Sequence, residues 1–292
     1  MRLSVESARE IQESSNEEWF RLRKERFPNA LVGIAEGDSW FDYAPSFIEN
    51  PLLGDLINQL NKTRKFNLLR VAIAGDTLEN MTFGTDAKPP QLQKTLGFIH
   101  QYQPDFFIFS GGGNDVAGPN GLKFEPFLNH SKSKLNVLRA DYLDYMVNTV
   151  FFEMFNHLIQ EVIRAKPDIK IFLHSYGYPI PDGRAVIDLE DFQFIGPWFK
   201  PPLDRKKLNQ MQGEKVVHTL IDALSNLLKR LEAQYSQNIT FIDLRPIITQ
   251  HIADEGGGYT KVWGNELHLT VNGYKRVTEE FQRRILEIFP GH

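Results

Sequence analysis

A regular alternation of short apolar runs with longer helical patterns constrains the fold of this chain more than any other feature. Five runs predict strands, and each ends in Gly, Ser, Asp or a turn-rich segment: Leu31–Ala35, Leu68–Ala74, Phe106–Phe109, Ile169–His174 and Ile239–Leu244. The clearest helical patterns are Arg139–Ala165, Lys215–Tyr235 and about Asn272–Phe289. Apolar strands alternating with helices are typical of an α/β fold, in which about five parallel strands form a doubly wound sheet with helices on both faces.

Two long segments interrupt this alternation. Residues 114–138 are rich in Gly, Pro, Asn and Ser, and residues 176–211 contain five of the 16 prolines together with several aromatic residues. Both follow predicted strands, so we expect them at the carboxyl edge of the sheet, where open α/β folds bind ligands. Residues 1–28 predict a peripheral helix whose Trp19 and Phe20 dock on the body. We therefore expect a helical extension followed by a single domain, residues 29–292, with an insertion at about 176–211.

Composition excludes several classes of protein. The 292 residues include no Cys, which excludes disulfide frameworks, thiolate metal sites and a cysteine nucleophile. The net charge of −4, with no Lys/Arg run that stands out, argues against nucleic acid as a partner. The longest apolar runs are too short for a membrane span, and the polar N-terminus lacks the apolar stretch of a signal peptide. We expect a cytoplasmic protein that acts on a small molecule.

Small and polar residues follow each of the first three predicted strands. These segments are Gly37-Asp38-Ser39-Trp40, Gly75-Asp76-Thr77 and Ser110-Gly111-Gly112-Gly113-Asn114-Asp115. Small residues allow sharp turns that expose backbone N–H groups to a ligand. Parallel topology brings the three segments to one edge, and His268, directly before the last helix, can return to that edge.

This combination meets the requirements of acyl transfer: a nucleophile at a strand-to-helix turn, a base within hydrogen-bond reach, and donors for the developing oxyanion. Ser39 can be the nucleophile and His268 the base. The backbone N–H groups of Ser39 and Gly75, with the side-chain amide of Asn114, can form the oxyanion hole.

The same residues carry a family resemblance that spans most of the chain, from about residue 31 to 289. The blocks GDSW (37–40), Gly75 after the second strand, GGND (112–115) and a His before the final helix resemble the GDSL-type, or SGNH, hydrolases. The resemblance implies a flavodoxin-like three-layer sandwich with strand order 2-1-3-4-5. It also implies ester or thioester hydrolysis through an acyl-serine without metal or organic cofactor, with Ser39, Gly75, Asn114 and His268 in the roles given above.

One position departs from the family pattern. Asn265 stands three residues before His268, where the family usually has Asp. An amide oxygen can orient the imidazole, but it cannot stabilise the imidazolium by charge. Three hypotheses follow: a Ser–His pair oriented by the Asn265 carbonyl; another acid, with Glu266, Asp243 or Asp254 as candidates; or a weak or inactive relative. The intact nucleophile, base and oxyanion donors favour the first two.

Four further residues are candidates for the pocket wall. Asp38 and Asp115 are expected mainly to brace their loops. His174 ends the fourth predicted strand at the same edge of the sheet. Trp198 lies in the proline-rich insertion, where a large aromatic residue can serve packing or a lid equally well.

Two rival functions belong to other classes. A two-metal phosphoesterase would draw its ligands from Asp38, Asp76, Asn114, Asp115 and His268. The sequence lacks the early Asp-x-His pair and the late Gly-His-x-His that such a site would need. A binding protein without turnover is the second rival, and the Asn at position 265 and the insertion favour it.

The sequence thus predicts serine-dependent hydrolysis of a carboxylic ester on a carbohydrate or a lipid. A short acyl or acetyl group is expected, because the sequence shows no apolar channel on the scale of a lipid.

Overall fold

A parallel five-stranded sheet forms the centre of the molecule. The computed structural model describes residues 5–43, 54–84, 90–118, 123–129, 136–186 and 196–292, with side chains from residue 16 onward. The strands are β1 (Leu31–Glu36), β2 (Phe66–Arg70), β3 (Phe106–Phe109), β4 (Lys170–His174) and β5 (Ile239–Ile242). Every neighbouring pair is parallel, and the order is β2-β1-β3-β4-β5. The predicted α/β class and the strand order 2-1-3-4-5 are confirmed.

Helices surround this sheet. They are α1 (Val5–Arg26), α2 (Leu56–Lys62), α3 (Leu78–Thr82), α4 (Gln91–Tyr102), α5 (Gly113–Val116), α6 (Ala140–Tyr145), α7 (Phe152–Ala165), α8 (Lys200–Arg205), α9 (Gln210–Gln234), α10 (Leu244–Asp254) and α11 (Val271–Ile288). A π-helical turn over Met146–Phe151 joins α6 to α7. Among the helices that the structure describes, none combines the length and the hydropathy needed to cross a membrane.

The two faces of the sheet carry different helices. Side chains alternate between faces along a strand, so Phe106 and Phe109 of β3 point in opposite directions. Phe109 meets Phe155 of α7 edge-on, with ring centroids 5.6 Å apart, whereas Phe106 packs near Phe289 at the end of α11. Helices α4 and α7 contact each other, as do α2, α10 and α11 in a second group. The core therefore has two apolar layers with the sheet between them.

The bounds of three elements differ from the predictions by two residues or more. Strand β2 begins at Phe66 and ends at Arg70; residues 71–74, predicted as strand, form a loop that still bonds to the end of β1, with the Val71 N–H 2.8 Å from the Ala35 oxygen. Strand β5 stops at Ile242, because the Asp243 carboxylate caps α10. Helix α9 begins at Gln210, where Asn209 and Gln212 form a capping box.

The N-terminal prediction is half right. Phe20 is fully buried and meets Tyr102 edge-on at 4.8 Å, but the Trp19 side chain is 64% exposed and does not dock. Successive residues of an α-helix project about 100° apart, so Phe20 can face the body while Trp19 points to solvent.

The two irregular segments contact each other. Phe124, from the 114–138 segment, meets Phe199 of the insertion edge-on at 5.1 Å. The predicted loops also contain short helices, α5 and a 3₁₀ turn (Glu125–Phe127) in the first and α8 in the second. Residues 119–122, 130–135 and 187–195, which belong to these two predictions, lie outside the described residues.

Candidate active site

The site begins where β1 ends, at a turn that requires glycine. A Cβ atom on Gly37 would lie 2.7 Å from the Ser110 carbonyl oxygen, so the loops after β1 and β3 can touch only if position 37 has no side chain. The Gly37 oxygen also accepts the Ile73 N–H at 2.9 Å, which joins the loop after β2 to the same turn. The three loops predicted to meet at the carboxyl edge are thus in direct contact, with Ser39 two residues beyond the turn.

A hydrogen-bond relay connects Ser39, His268 and Asn265. The Ser39 Oγ lies 2.7 Å from His268 Nε2, and His268 Nδ1 lies 3.1 Å from Asn265 Oδ1. The backbone N–H groups of Leu267 and His268, both 2.9 Å from Oδ1, can only donate, so the atom they face is the amide oxygen. His268 Nδ1 must then carry the proton, and Nε2 is left as the acceptor for the Ser39 hydroxyl. Asn265 therefore sets the tautomer that a general base needs.

His268 is buried and neutral at physiological pH. Burial lowers the pKa of its imidazole to about 3. Tyr43 stacks on the ring with centroids 4.3 Å apart, and its phenol accepts a hydrogen bond from Asn265 Nδ2 at 3.0 Å. Trp198 meets the ring edge-on at 5.7 Å. The imidazole is thus held between aromatic side chains in the unprotonated form that can accept a proton.

Main-chain contacts hold together the two ends of the loop that carries His268. Trp263 and Leu269 form an antiparallel bridge, and the Gly264 N–H donates to the His268 oxygen at 2.8 Å. The Trp40 indole N–H donates to the Leu267 oxygen at 3.0 Å, which fastens this loop to the residue after Ser39. Main-chain contacts on both sides therefore fix the distance between Ser39 and His268.

Three donors are available for an oxyanion. Among the described residues, no hydrogen bond occupies the backbone N–H of Ser39 or of Gly75. Gly75 has a φ of +82°, a conformation that disfavours any side chain. The Asn114 side-chain N–H donates to the Asp76 oxygen at 2.9 Å, which fixes the amide and leaves its second hydrogen for a ligand. The third loop is thereby attached to the second at the residue after Gly75.

Asp38 and Tyr176 hold together the loops that follow β1 and β3. The Asp38 carboxylate accepts the Ser110 hydroxyl at 2.8 Å, the Trp40 N–H at 3.0 Å, and the Tyr176 hydroxyl. The Tyr176 oxygen in turn accepts the Gly113 N–H at 3.2 Å. Burial, together with the Asp38 charge, raises the pKa of Tyr176 well above its usual value. These contacts join the ends of β1, β3 and β4, and Asp38 lines the pocket as the sequence suggested.

A buried ion-pair cluster positions the Gly75 loop. Arg70 at the end of β2 donates from Nη2 to both carboxylate oxygens of Asp55 at 2.9 Å and from Nη1 to Asp42 at 3.2 Å. The other Asp42 oxygen accepts the Ala74 N–H at 3.1 Å. Burial raises the pKa of Asp55 to about 6 even beside the guanidinium. Asp42 lies three residues after Ser39, so it ties the loop after β1 to Ala74, the residue that precedes Gly75.

Three of the expected pocket residues lie elsewhere. Asp115 is half-buried and its carboxylate accepts the Leu78 N–H at 2.8 Å, so it braces the start of α3; burial of the carboxylate raises its pKa to about 6. His174 lies behind Trp40, stacked at 5.6 Å, and belongs to the core. Neither is among the described residues that line the pocket. Trp198 contacts His268 rather than the pocket wall.

The structure also decides among the candidate acids. Glu266 is fully buried and accepts four backbone N–H groups of the insertion, those of Gly183, Trp198, Phe199 and Lys200, at 2.6–3.0 Å. Burial raises the pKa of Glu266. Asp243 caps α10 and pairs with Arg245, and Asp254 accepts a hydrogen bond from Gln250. The partner of His268 Nδ1 is Asn265, and Glu266 anchors the insertion instead.

An apolar cavity adjoins Ser39. It is lined by Ser39 and Asn114 at one end and by side chains from the π-helical turn and from α9, among them Val147, Phe151 and Leu220. No sequence pattern indicates this cavity, since its wall comes from segments far apart in the chain. Sequence reasoning also missed Tyr43 and Tyr176, although Tyr176 directly follows β4 and its place at the carboxyl edge was a usable signal.

The hypothesis of a metal-dependent phosphoesterase requires a cluster of metal-ligating side chains. Within the described ranges, no group of three or more His, Asp or Glu side chains is arranged to hold a metal ion. Asp38 and Asp115 instead accept hydrogen bonds from hydroxyl and backbone donors, as described above.

The comparison with protein families agrees with this geometry. Residues 35–276 match the model of the GDSL-like lipase/acylhydrolase family. The chain belongs to this family. The match includes Ser39, Gly75, Asn114 and His268 of this GDSL-family chain. No curated protein sequence matches it.

Solved structures share the fold of the GDSL-family chain at low identity. An extracellular lipase of Streptomyces rimosus is 13% identical, with a TM-score of 0.54, over 87% of this chain and 99% of the other. A phospholipase A1 of Streptomyces albidoflavus is 12% identical, with a TM-score of 0.52, over 87% and 99%. A family 3 carbohydrate esterase of Clostridium thermocellum is 13% identical, with a TM-score of 0.49, over 90% and 100%.

Proposed function

We propose that the chain hydrolyses a carboxylic ester through an acyl-enzyme on Ser39. The observation that carries the proposal is the 2.7 Å contact from the Ser39 hydroxyl to His268 Nε2, on an imidazole whose tautomer Asn265 fixes. A neutral imidazole in this position accepts the hydroxyl proton as the oxygen attacks.

The reaction runs in two halves. Ser39 Oγ forms a bond to the carbonyl carbon while its proton moves to His268 Nε2, and the oxyanion is held by the N–H groups of Ser39 and Gly75 and the Asn114 amide. Collapse of this intermediate breaks the ester C–O bond, and His268 returns the proton to the leaving alcohol. A water molecule then attacks the acyl-serine and gives a proton to His268. As the bond between the acyl carbon and Ser39 Oγ breaks, His268 passes this proton to Oγ, and the carboxylic acid leaves.

Asn265 limits the rate of this reaction. Its carbonyl holds the ring in the correct tautomer, but it carries no charge to stabilise the imidazolium that forms in each half. We expect the chain to be a slow esterase for this reason.

The test is hydrolysis of p-nitrophenyl acetate by the wild type, Ser39→Ala and His268→Ala, with Ser225→Ala, a buried serine of α9, as the matched control. Turnover is expected to disappear in the first two variants, to persist in the control, and to survive EDTA. Turnover that remains in Ser39→Ala would refute the proposal.

A second candidate is ester binding without turnover, and the uncharged Asn265 favours it. Binding of an ester by the wild type without any Ser39-dependent product release would establish that alternative.

A further inference from the structure

The cavity beside Ser39 has one polar end and an apolar interior. Asp38, Ser39 and Asn114 lie at the polar end, and Phe151, Val217 and Leu224 lie among the apolar side chains of the wall. Phe151, Val217 and Leu224 are themselves buried, so core packing fixes their positions. A wall of this kind binds hydrocarbon, because it offers a chain no hydrogen-bonding partner.

The position of His268 decides which part of an ester enters the cavity. The leaving alcohol must lie beside His268 Nε2, which gives it a proton. Among the described residues that line the cavity, Ser39 and Asn114 are present and His268 is not. The cavity therefore extends from the acyl side of the scissile bond, and the alcohol lies on the His268 side.

The size of the cavity sets the length of the acyl chain. Its volume is about 60 Å³. At ~10–15 Å³ for each water-sized group, this is room for about four to six chain atoms beyond the carbonyl carbon. The side chains of the π-helical turn, Val147 and Phe151, form part of the wall, and π-helical turns are frequent at functional sites.

We propose that this cavity binds a linear acyl chain of about six carbons, so that the preferred substrates are medium-chain rather than acetyl esters. The inference rests on the proposed function, because it places the acyl carbonyl at Ser39. It replaces the short acyl group that the sequence favoured, since the wall is assembled by the fold from the π-helical turn, α9 and both irregular segments.

The first test is the chain-length profile of kcat/KM with p-nitrophenyl acetate, butyrate, hexanoate and dodecanoate. Each methylene that enters the cavity is expected to raise kcat/KM about fourfold, hence roughly 200-fold from acetate to hexanoate, with no further gain at dodecanoate. A profile that is flat, or highest for acetate, would overturn the inference.

The second test uses a substitution that fills the cavity with a large side chain. Ile221→Trp places an indole in the wall, whereas Ile163→Trp alters a half-buried isoleucine of α7 that is not among the lining residues. Ile221→Trp is expected to lower the hexanoate-to-acetate ratio of kcat/KM at least tenfold, and Ile163→Trp to leave it unchanged. Equal ratios in the two variants would contradict the assignment of the cavity.

A binding measurement on a variant without the Ser39 hydroxyl tests this inference separately from the proposed function. Ligand-observed NMR on Ser39→Ala protein is expected to detect hexanamide but not acetamide, and Ile221→Trp added to Ser39→Ala is expected to abolish the hexanamide signal. Hexanamide binding without Ser39-dependent esterase activity in the wild type would refute the proposed function alone. Ser39-dependent acetate hydrolysis without hexanamide binding would refute the acyl cavity alone.

Discussion

Replacing Asn265 with Asp restores the charge that the relay lacks, and we expect it to increase activity. The site can accept the carboxylate. One oxygen would keep the two backbone N–H groups and His268 Nδ1, now 2.9, 2.9 and 3.1 Å from Asn265 Oδ1. The other would face the Tyr43 hydroxyl, which accepts the amide N–H at 3.0 Å and can turn to donate instead.

The size of the gain follows from Coulomb's law. Two unit charges ~4 Å apart interact by about 4 kcal/mol at an effective dielectric constant of about 20. This corresponds to roughly three pKa units, which would raise the pKa of His268 from about 3 towards about 6. The imidazolium that forms in the transition state gains the same stabilisation, so kcat is expected to rise between about 10- and 1000-fold.

The assay is the pH dependence of kcat/KM for one ester in the wild type and Asn265→Asp. For the wild type we expect no acid limb down to about pH 4, because the His268 pKa is about 3. For Asn265→Asp we expect an acid limb near pH 6 and a higher plateau. Asn265→Ala, which removes the orienting oxygen without adding charge, is the control and should lose activity. The reasoning would be refuted if Asn265→Asp folds but has the same acid limb as the wild type and no higher kcat/KM.

Three other substitutions have defined outcomes. Burial raises the pKa of Glu36 to about 8, so the free energy of unfolding is expected to fall by up to roughly 5 kcal/mol as pH rises from about 4.5 to 8. Thermal melts should show a smaller fall in Glu36→Gln. Parallel pH profiles of the wild type and the variant would contradict this. Glu266→Gln leaves two backbone N–H groups of the insertion without their acceptor and should cost ~1–3 kcal/mol for each in urea unfolding, whereas exposed Glu279→Gln should cost nothing; equal costs would argue against the anchor. Asn114→Ala should lower kcat ~10²–10³-fold with little change in KM, and an unchanged kcat would remove Asn114 from the oxyanion hole.

The parts of the fold that sequence predicted best are those with a strong local pattern. Apolar runs such as Phe106–Phe109 and periodic helices such as α11 were identified because burial imposes their spacing directly on the sequence. The convergence of Ser39, Gly75 and Asn114 followed from topology alone, since the carboxyl ends of parallel strands share one edge.

The features that sequence missed depend on contacts between distant segments. Tyr43 and Asn265 are 222 residues apart, and Tyr176 and Asp38 are 138 apart, so no spacing rule connects them. Glu266 was one of the candidate acids, but its carboxylate points to the insertion. The acyl cavity was missed for the same reason, because tertiary packing creates it.

The most direct test of the central claim is the labelling of Ser39 by a fluorophosphonate, which reacts with a serine that a neighbouring base activates. Peptide mass spectrometry is expected to place one adduct on Ser39 of the wild type, and His268→Ala is expected to abolish the labelling. A folded wild type that takes up no label, or that takes it up at another serine, would contradict the account.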